Sequence, residues 1–187
     1  MKFSQHELFD LSKAWILISI AFAILFKDSF NKNYFLVFLV VLLSAGLGFL
    51  LHELAHKYIA QKYGFFAEFQ AFDTMLIVAI IFSFFGFIFA APGAVIIHGN
   101  INKRKNGIIS LSGPLTNIIL AIIFFMLAGF NIFSFVSNFG FKINSYLALF
   151  NMLPFFGLDG QKVFQWNKII YIILILISFM LVFMQYI

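Results

Sequence analysis

The chain contains six apolar runs, several of which are as long as the hydrocarbon core of a membrane is thick. About 20 consecutive apolar residues on a helix are enough to span a bilayer. The six runs cover residues 11–26, 34–60, 74–91, 108–130, 141–156 and 169–187. Only 10% of the 187 residues are charged and 63% are hydrophobic, which is outside the range of soluble globular domains. The sequence therefore predicts an all-α polytopic membrane protein with five or six hydrophobic segments.

The organisation of the chain predicts one integral membrane domain covering residues 1–187. There is no internal repeat, low-complexity tract or linker, and a polar break, KDSFNKN (27–33), separates the first two runs. No small-residue cleavage site follows the first run, which favours a retained span over a signal peptide. The absence of cysteine excludes thiolate zinc sites and cysteine catalysis. The twelve basic residues lie between the apolar runs, a pattern that sets membrane topology and is not typical of nucleic-acid binding.

Two short segments have the pattern of strands. Residues 61–73 include GFFAEFQAFD, where aromatic and polar residues alternate. In AVIIHGNINKRKNG (94–107), β-branched residues flank a Gly-Asn turn, which predicts a short hairpin with His98 at its tip. We therefore expect a short membrane-associated β-hairpin element beside the helices.

The second apolar run contains the sequence LHELAHKYIA. His52 and His56 are four residues apart, so both imidazoles project from one face of a helix. Zinc is the usual metal for such a pair, and the adjacent Glu53 can reach a metal-bound water as general base. Each ionisable group inside a span costs at least about 2.5–3.5 kcal/mol on insertion scales. The three together therefore indicate a metal site holding one zinc ion per chain.

A catalytic zinc commonly has three protein ligands, so a third must come from elsewhere in the chain. The candidates are the remaining acidic residues and histidines: Glu7, Asp10, Asp28, Glu68, Asp73, Asp159, His6 and His98. Asp159 ends an apolar run where Pro154 and two glycines bend the backbone. Asp-Gly is also an ordinary turn signal, so the residues alone leave both interpretations of Asp159 open. His98 fits a polar turn and His6 a solvated terminus.

Two asparagines lie within apolar stretches. SGPLTN (112–117) opens the fourth run, and Pro114 suits the first turn of a helix, which places Asn117 nearly one turn inside. Asn151 lies in the fifth run. Polar groups within membranes usually face the protein interior, so both residues suit interhelical hydrogen bonds or a functional site.

Three motifs in order resemble those of the site-2 protease family of intramembrane zinc metalloproteases. They are HELAH (52–56), GPLTN (113–117) and N-x-x-P-x-x-x-L-D-G (151–160), within a predicted zinc core of about residues 35–160. The resemblance implies an intramembrane zinc endopeptidase that cleaves transmembrane segments of membrane proteins. It implies these site residues: His52, His56 and Asp159 as zinc ligands, Glu53 as general base, and Asn117 and Asn151 for positioning substrate or the oxyanion.

The sequence departs from the family pattern at three positions close to Asp159. Met152 stands where many members carry Pro, Gly157 where Pro is frequent, and Gln161 replaces a common second Gly. The departures leave the implied ligand set intact. They predict a different local shape of the substrate cleft.

A shared metal constrains the membrane topology. His52 lies late in its apolar run and Asp159 follows the end of its own, so those two helices must run in the same direction. Asn117 lies early in the fourth run, so that helix must be antiparallel to both. The chain then leaves the second run and enters the fourth on the same side of the membrane, and residues 74–91 cannot make a single net crossing. We expect either a re-entrant or surface-lying segment, or a return of residues 93–105 through the membrane shielded by protein, because a bare strand in lipid is excluded.

The basic residues give the orientation. Nine would share the metal-site side: Lys2, Lys13, Lys57, Lys62, Lys103, Arg104, Lys105, Lys162 and Lys168. Lys27, Lys32 and Lys142 would lie opposite. By the positive-inside rule the metal-site side is cytoplasmic, with the N-terminus inside and the C-terminus outside. We expect a multi-pass protein of the cell membrane whose partners are lipid and a transmembrane substrate, without nucleic acid; the sequence indicates no oligomeric state.

Two other functions fit part of the pattern. A non-catalytic zinc-binding membrane scaffold would need the histidines but not Glu53. Another membrane HExxH protease could act on lipidated or soluble tails outside the bilayer. Such enzymes usually take a Glu from a later helix as third ligand, and no Glu follows Glu68.

Overall fold

A computed structural model of the chain describes residues 1–27, 33–88 and 92–186, and these are mostly helical. The elements in chain order are α1 (Gln5–Leu25), α2 (Tyr34–Val41), α3 (Leu47–Lys62), β1 (Phe66–Ala71), α4 (Asp73–Ser83), β2 (Gly93–His98), α5 (Lys103–Gly129), α6 (Ser134–Asn151), α7 (Asp159–Trp166) and α8 (Lys168–Phe183). Parts of three predictions lie outside the described residues: 28–32 of the polar break with Asp28 and Lys32, 89–91 of the third run, and Ile187 of the sixth.

Among the described residues, three helices are long and apolar enough to cross a membrane. They are α1, the continuous helix Tyr34–Lys62 that joins α2 to α3, and α5. Helices α4 and α8 are apolar but shorter. The eleven residues of α4 rise about 16 Å, roughly half the thickness of the hydrocarbon core. The helices support a membrane protein, and the expected number of five or six segments stays a prediction.

The helix Tyr34–Lys62 changes its winding before it reaches the HELAH motif. A π-helical turn, Leu42–Gly46, separates α2 from α3. The Trp15 indole of α1 donates a hydrogen bond of 3.2 Å to the Leu42 carbonyl within this turn. A side chain on Gly46 would overlap Trp15 and Ser19. The turn therefore fixes how α1 packs against the helix that carries the histidines, as π-bulges often do near functional sites.

The two strands form an antiparallel sheet, but not the hairpin expected from residues 94–107. Strand β1 pairs with β2 in a register that runs from Phe66 opposite His98 to Ala71 opposite Gly93, and α4 lies between them in the chain. The hairpin prediction was wrong because Asn102 caps a helix: its side chain accepts a hydrogen bond of 2.9 Å from the Lys105 N–H. His98 is consequently the last residue of β2 and not a turn tip.

The cap at Asn102 also moves the start of the fourth long helix. Helix α5 begins at Lys103 and not near Ile108, so Pro114 lies inside it and not in its first turn. A proline within a helix removes the N–H that would bond the carbonyl four residues earlier and locally distorts the helix. Asn117 is therefore more than three turns from the start of α5.

Helix α5 lies at the centre of the fold, in contact with α3, α6, α7 and α8. One cluster of buried apolar side chains fills the space between α5, α6, α7 and α8, and a second joins α1, α3, α4 and β1. Because α5 contacts both α3 and α7, it brings these three helices together. The three predicted metal ligands, with Glu53 and Asn117, lie on these three helices, whereas Asn151 lies on α6.

Candidate metal centre

The two histidines of the HELAH motif converge on one point. Both lie on α3 and both are buried, with their Nε2 atoms 3.0 Å apart. The spacing of four residues on a helix places the side chains one above the other on the same face. The third converging group is the carboxylate of Asp159, whose Oδ2 lies 3.2 Å from His52 Nε2 and 3.0 Å from His56 Nε2.

Asp159 is presented by a tight loop that follows α6. It is the first residue of α7, and a side chain on the next residue, Gly160, would overlap the Met152 backbone carbonyl. The Asp159 carboxylate is buried against the imidazoles of His52 and His56. Asp159 is therefore an anionic oxygen donor beside two nitrogen donors.

Two of the residues at which the sequence departs from the motif that it resembles shape the same loop. Gly157 adopts a φ of 74°, which proline cannot adopt, and its N–H donates a hydrogen bond of 2.9 Å to Gln161 Oε1. A proline at position 157 would lack this N–H, and a glycine at position 161 would lack the acceptor. At these two departures, Gly157 supplies the donor and Gln161 the acceptor of the same hydrogen bond.

The three groups fit a tetrahedral metal ion. One ligand atom from each of His52, His56 and Asp159 lies within 4.8 Å of the others, and the closest pairs are 3.0–3.2 Å apart. Zinc bonds of about 2.0–2.1 Å would separate tetrahedral ligand atoms by about 3.3 Å. Two imidazoles and one carboxylate are also ligands that zinc accepts. The cluster suits zinc with a fourth position left for water or substrate.

A glycine keeps the space beside the ligands open. A Cβ on Gly113 of α5 would overlap the Nε2 atoms of both His52 and His56. Any other residue at this position would push the imidazoles out of place or fill the space of the ion. The glycine of the GPLTN motif is therefore required by the geometry of the ligands.

Hydrogen bonds from α5 fix the orientation of both imidazoles. His56 Nδ1 lies 2.8 Å from the Ile109 carbonyl, and His52 Nδ1 lies 2.5 Å from Asn117 Oδ1. Both partners are acceptors, so each Nδ1 carries the proton and each Nε2 keeps its lone pair for the metal. The Ile109 carbonyl belongs to the turn of α5 that precedes Pro114.

Glu53 lies next to the ligands without being tied to the protein. It is half-buried on α3, and within the described ranges its carboxylate makes no hydrogen bond or ion pair. Lys162 of α7 adds a positive charge nearby, with Nζ 3.9 Å from Asp159 Oδ1. A free carboxylate beside a metal site can accept a proton from water.

The structure places the two predicted asparagines differently. Asn117 is fully buried and touches the site through His52, whereas Asn151 is half-buried and donates 2.9 Å to the Leu147 carbonyl of its own helix. In Asn117 the amide group is already bonded to protein atoms, which suits orientation of the histidine. A direct role of either residue in positioning substrate stays a prediction.

The other candidate ligands that the structure describes lie outside the cluster. His6 is exposed near Asp10, and the ring of His98 lies beside Phe66. Four acidic side chains are engaged in hydrogen bonds or ion pairs away from the site: Glu7, Asp10, Glu68 and Asp73. Sequence reasoning missed Gly113, Ile109, Lys162 and Asn144 as residues around the site. Only Gly113 lay in a motif, and a backbone carbonyl such as that of Ile109 gives no sequence signal.

The chain is similar to proteins whose names describe zinc metalloproteases. A protein of Methanocaldococcus jannaschii named "Putative zinc metalloprotease" is 43% identical over 188 residues, which cover 96% of this chain and 95% of that protein. A second M. jannaschii protein, named "Zinc metalloprotease", is 28% identical over 147 residues, 72% of this chain and 35% of its own length. A Bacillus subtilis protein named "Putative zinc metalloprotease" is 31% identical over 147 residues, 64% of each chain. No protein-family model matches the chain, and no solved structure matches it significantly.

Proposed function

The chain belongs to a family of zinc metalloproteases, and we propose that it is an intramembrane endopeptidase of the site-2 protease type. The observation that carries this proposal is the position of the metal centre. His52, Glu53 and His56 lie on a helix, Tyr34–Lys62, that is long and apolar enough to span a bilayer. The proposed substrates are transmembrane segments of other membrane proteins, because a metal centre on a membrane-spanning helix is close to such segments.

Different residues of the chain have separate roles in the proposed peptide hydrolysis. His52, His56 and Asp159 hold the ion, which when bound polarises a carbonyl and lowers the pKa of water. The free Glu53 carboxylate accepts a proton from the attacking water and delivers it to the nitrogen of the leaving amine. Asn117 and the Ile109 carbonyl keep the imidazoles oriented throughout.

A transmembrane substrate must unwind before it can be cut, because a helical backbone buries its carbonyls in its own hydrogen bonds. An exposed strand edge can hold the extended segment by adding it to a sheet. The outer edge of β1 is closed: the N–H groups of Phe69 and Ala71 donate 2.9 Å to the carboxylates of Glu7 and Asp10 on α1. Gln61 donates 3.2 Å to the Ala67 carbonyl on the same edge.

The other edge of the sheet belongs to β2. Val95 lies opposite Phe69 in an antiparallel pair whose backbone groups point away from the partner strand. Among the described residues, the outward N–H and carbonyl groups of Val95 and Ile97 have no hydrogen-bond partner. We therefore assign substrate capture to the edge of β2.

The proposed location follows from the helices and the charges. The protein lies in the cell membrane as a multi-pass protein, and the metal centre lies nearer the cytoplasmic side, where nine of the twelve basic residues are expected. Its partners are the substrate segment and lipid. Water reaches the centre from that side.

Co-expression with candidate single-span membrane proteins tests the proposal. The unchanged chain is compared with Glu53→Gln, and the termini of any fragments are mapped by mass spectrometry. We expect cuts inside the apolar segment of the substrate, with activity about 10²–10⁴-fold lower in the variant. Cuts confined to tails outside the bilayer would favour the tail-processing alternative. Equal fragment patterns for both chains would exclude Glu53 as the base, and a lack of any cleavage would favour the scaffold.

A further inference from the structure

We propose that Asn144 is a positioning residue of the metal centre, which acts through Asn117 to hold His52 in the protonation form that binds a metal. Asn144 lies on α6, a helix that supplies none of the predicted ligands, and it is fully buried. The inference rests on the zinc centre of the proposed function. It does not depend on which peptide bond, if any, the protein cleaves.

The orientation of the Asn144 amide is set by its own helix. Its Nδ2 donates a hydrogen bond of 2.9 Å to the Gly140 carbonyl. A backbone carbonyl can only accept, so the nitrogen end of the amide must face Gly140. The oxygen end, Oδ1, therefore faces α5.

The Asn144 oxygen in turn helps to orient Asn117. The Asn117 Nδ2 group donates 3.1 Å to Asn144 Oδ1 and 3.2 Å to the Gly48 carbonyl of α3. The two N–H groups of the amide are thereby both used. Its Oδ1 is left to accept from His52 Nδ1, 2.5 Å away.

The direction of the chain of bonds determines the form of the imidazole. It begins at a carbonyl of α6 and passes through two amides that have only one consistent orientation each. At His52 it requires the proton on Nδ1, so that Nε2 keeps the lone pair that faces Asp159 and His56. A flipped Asn117 would present N–H groups to Nδ1 and would favour the proton on Nε2, where it blocks the metal.

The packing leaves no room for a looser arrangement. A Cβ on Gly48 would overlap Asn144 Oδ1, so α3 and α6 approach closely at this point. All the members of the network, from Asn144 to His52, are buried and bonded. A fully bonded buried network is rigid, whereas one that loses a member leaves costly unpaired groups.

The test removes the Asn144 oxygen and measures the metal centre directly. In Asn144→Leu the shape is nearly kept and the amide is lost. Ser145→Ala is the matched control, because Ser145 is equally buried on α6 and, among the described residues, bonds only the Phe141 carbonyl of its own helix. Gly48→Ala is a second variant, which disturbs the same contact from α3 and leaves both amides in place.

Two readouts are independent of proteolysis. Zinc affinity is measured on purified protein in detergent by competition with a chelator. The protonation form of His52 is read from ¹⁵N chemical shifts of the imidazoles in the zinc-loaded protein, since the chain has only four histidines.

We expect the unchanged chain and Ser145→Ala to show His52 with the proton on Nδ1. Asn144→Leu should populate the Nε2-protonated form and bind zinc about tenfold more weakly, the lower end of the range for outer partners of metal ligands, because the Gly48 carbonyl still holds Asn117. Gly48→Ala should change both readouts in the same direction. Unchanged affinity and unchanged protonation form in Asn144→Leu and Gly48→Ala would overturn the proposal, as would an equal loss in Ser145→Ala.

Discussion

At the scale of single residues, a missing side chain is as important for the metal centre as the ligands. We predict that Gly113→Ala lowers zinc affinity by at least about tenfold, because the added methyl overlaps the Nε2 atoms of both histidines. Gly129→Ala on the same helix is the control, since nothing lies within 4 Å of its added Cβ. Metal content and chelator competition provide the measurement. Equal zinc affinity in the two variants would contradict the assignment of Gly113.

A second residue-scale prediction separates the ligand role of Asp159 from its role in the turn. Asp159→Asn keeps the preference for a turn but replaces the anionic oxygen that faces both imidazoles. We expect weaker zinc binding with an unchanged far-UV circular dichroism spectrum. A variant that retains full zinc affinity would show that Asp159 serves the turn alone.

At the scale of elements, a buried ion pair joins α1 to the histidine helix. Lys57 and Glu7 form a hydrogen-bonded pair in which both side chains are 1% exposed, and Glu7 also accepts from the Phe69 N–H of β1. Breaking a buried pair leaves an uncompensated charge and typically costs about 3–5 kcal/mol. The pair thus holds α1, α3 and β1 in one arrangement.

We predict that Glu7→Gln lowers the free energy of unfolding by an amount in that range, although Gln can still accept from Phe69. The double variant Glu7→Gln with Lys57→Met should recover much of the loss, because no charge remains buried. Denaturant titration of the unchanged chain, Glu7→Gln, Lys57→Met and the double variant in the same detergent gives the comparison. Additive losses in the double variant would show that the two side chains do not interact.

The open edge of β2 gives a second element-scale prediction. Val95→Pro removes an N–H that points away from β1, so the sheet keeps its own ladder while an added strand loses one bond. With a substrate identified by co-expression, KM should rise while zinc content stays the same. Val95→Ala, which keeps the N–H, should behave like the unchanged chain. A KM for Val95→Pro equal to that of the unchanged chain would contradict the role of β2 in substrate capture.

At the scale of the whole molecule, convergence on one metal ion restricts how the chain crosses the membrane. Residues on either side of α4, such as Lys62 and Arg104, are predicted to share the cytoplasmic face, and Lys142 to lie opposite. The chain has no cysteine, so single cysteines at these positions can be labelled from one side with an impermeant thiol reagent. Labelling of positions 62 and 104 from opposite sides would make residues 74–91 a simple span.

The sequence predicted much of the molecule where a residue's role depends on near neighbours. The apolar runs predicted a helical membrane protein, and zinc followed from the spacing of His52 and His56. The partner of β2 could not be predicted, because strand pairing depends on contacts with β1 across an intervening helix. The start of α5 was missed because the Gly-Asn pair at 99–100 outweighed the cap at Asn102. The role of Asn144 could not be predicted from the sequence, because it depends on a hydrogen bond with Asn117 on another helix.

The hydrogen bond between Gly157 and Gln161 has a consequence for how this loop can change in evolution. Each residue contributes to this hydrogen bond only while the other is present, since Gly157 supplies the donor and Gln161 the acceptor. A single exchange to proline at position 157 or to glycine at position 161 would remove this hydrogen bond and leave the other residue without its partner. We therefore expect the two positions to be coupled, so that the effect of a change at one depends on the residue at the other. Grafting this loop between relatives should succeed only when both positions move together.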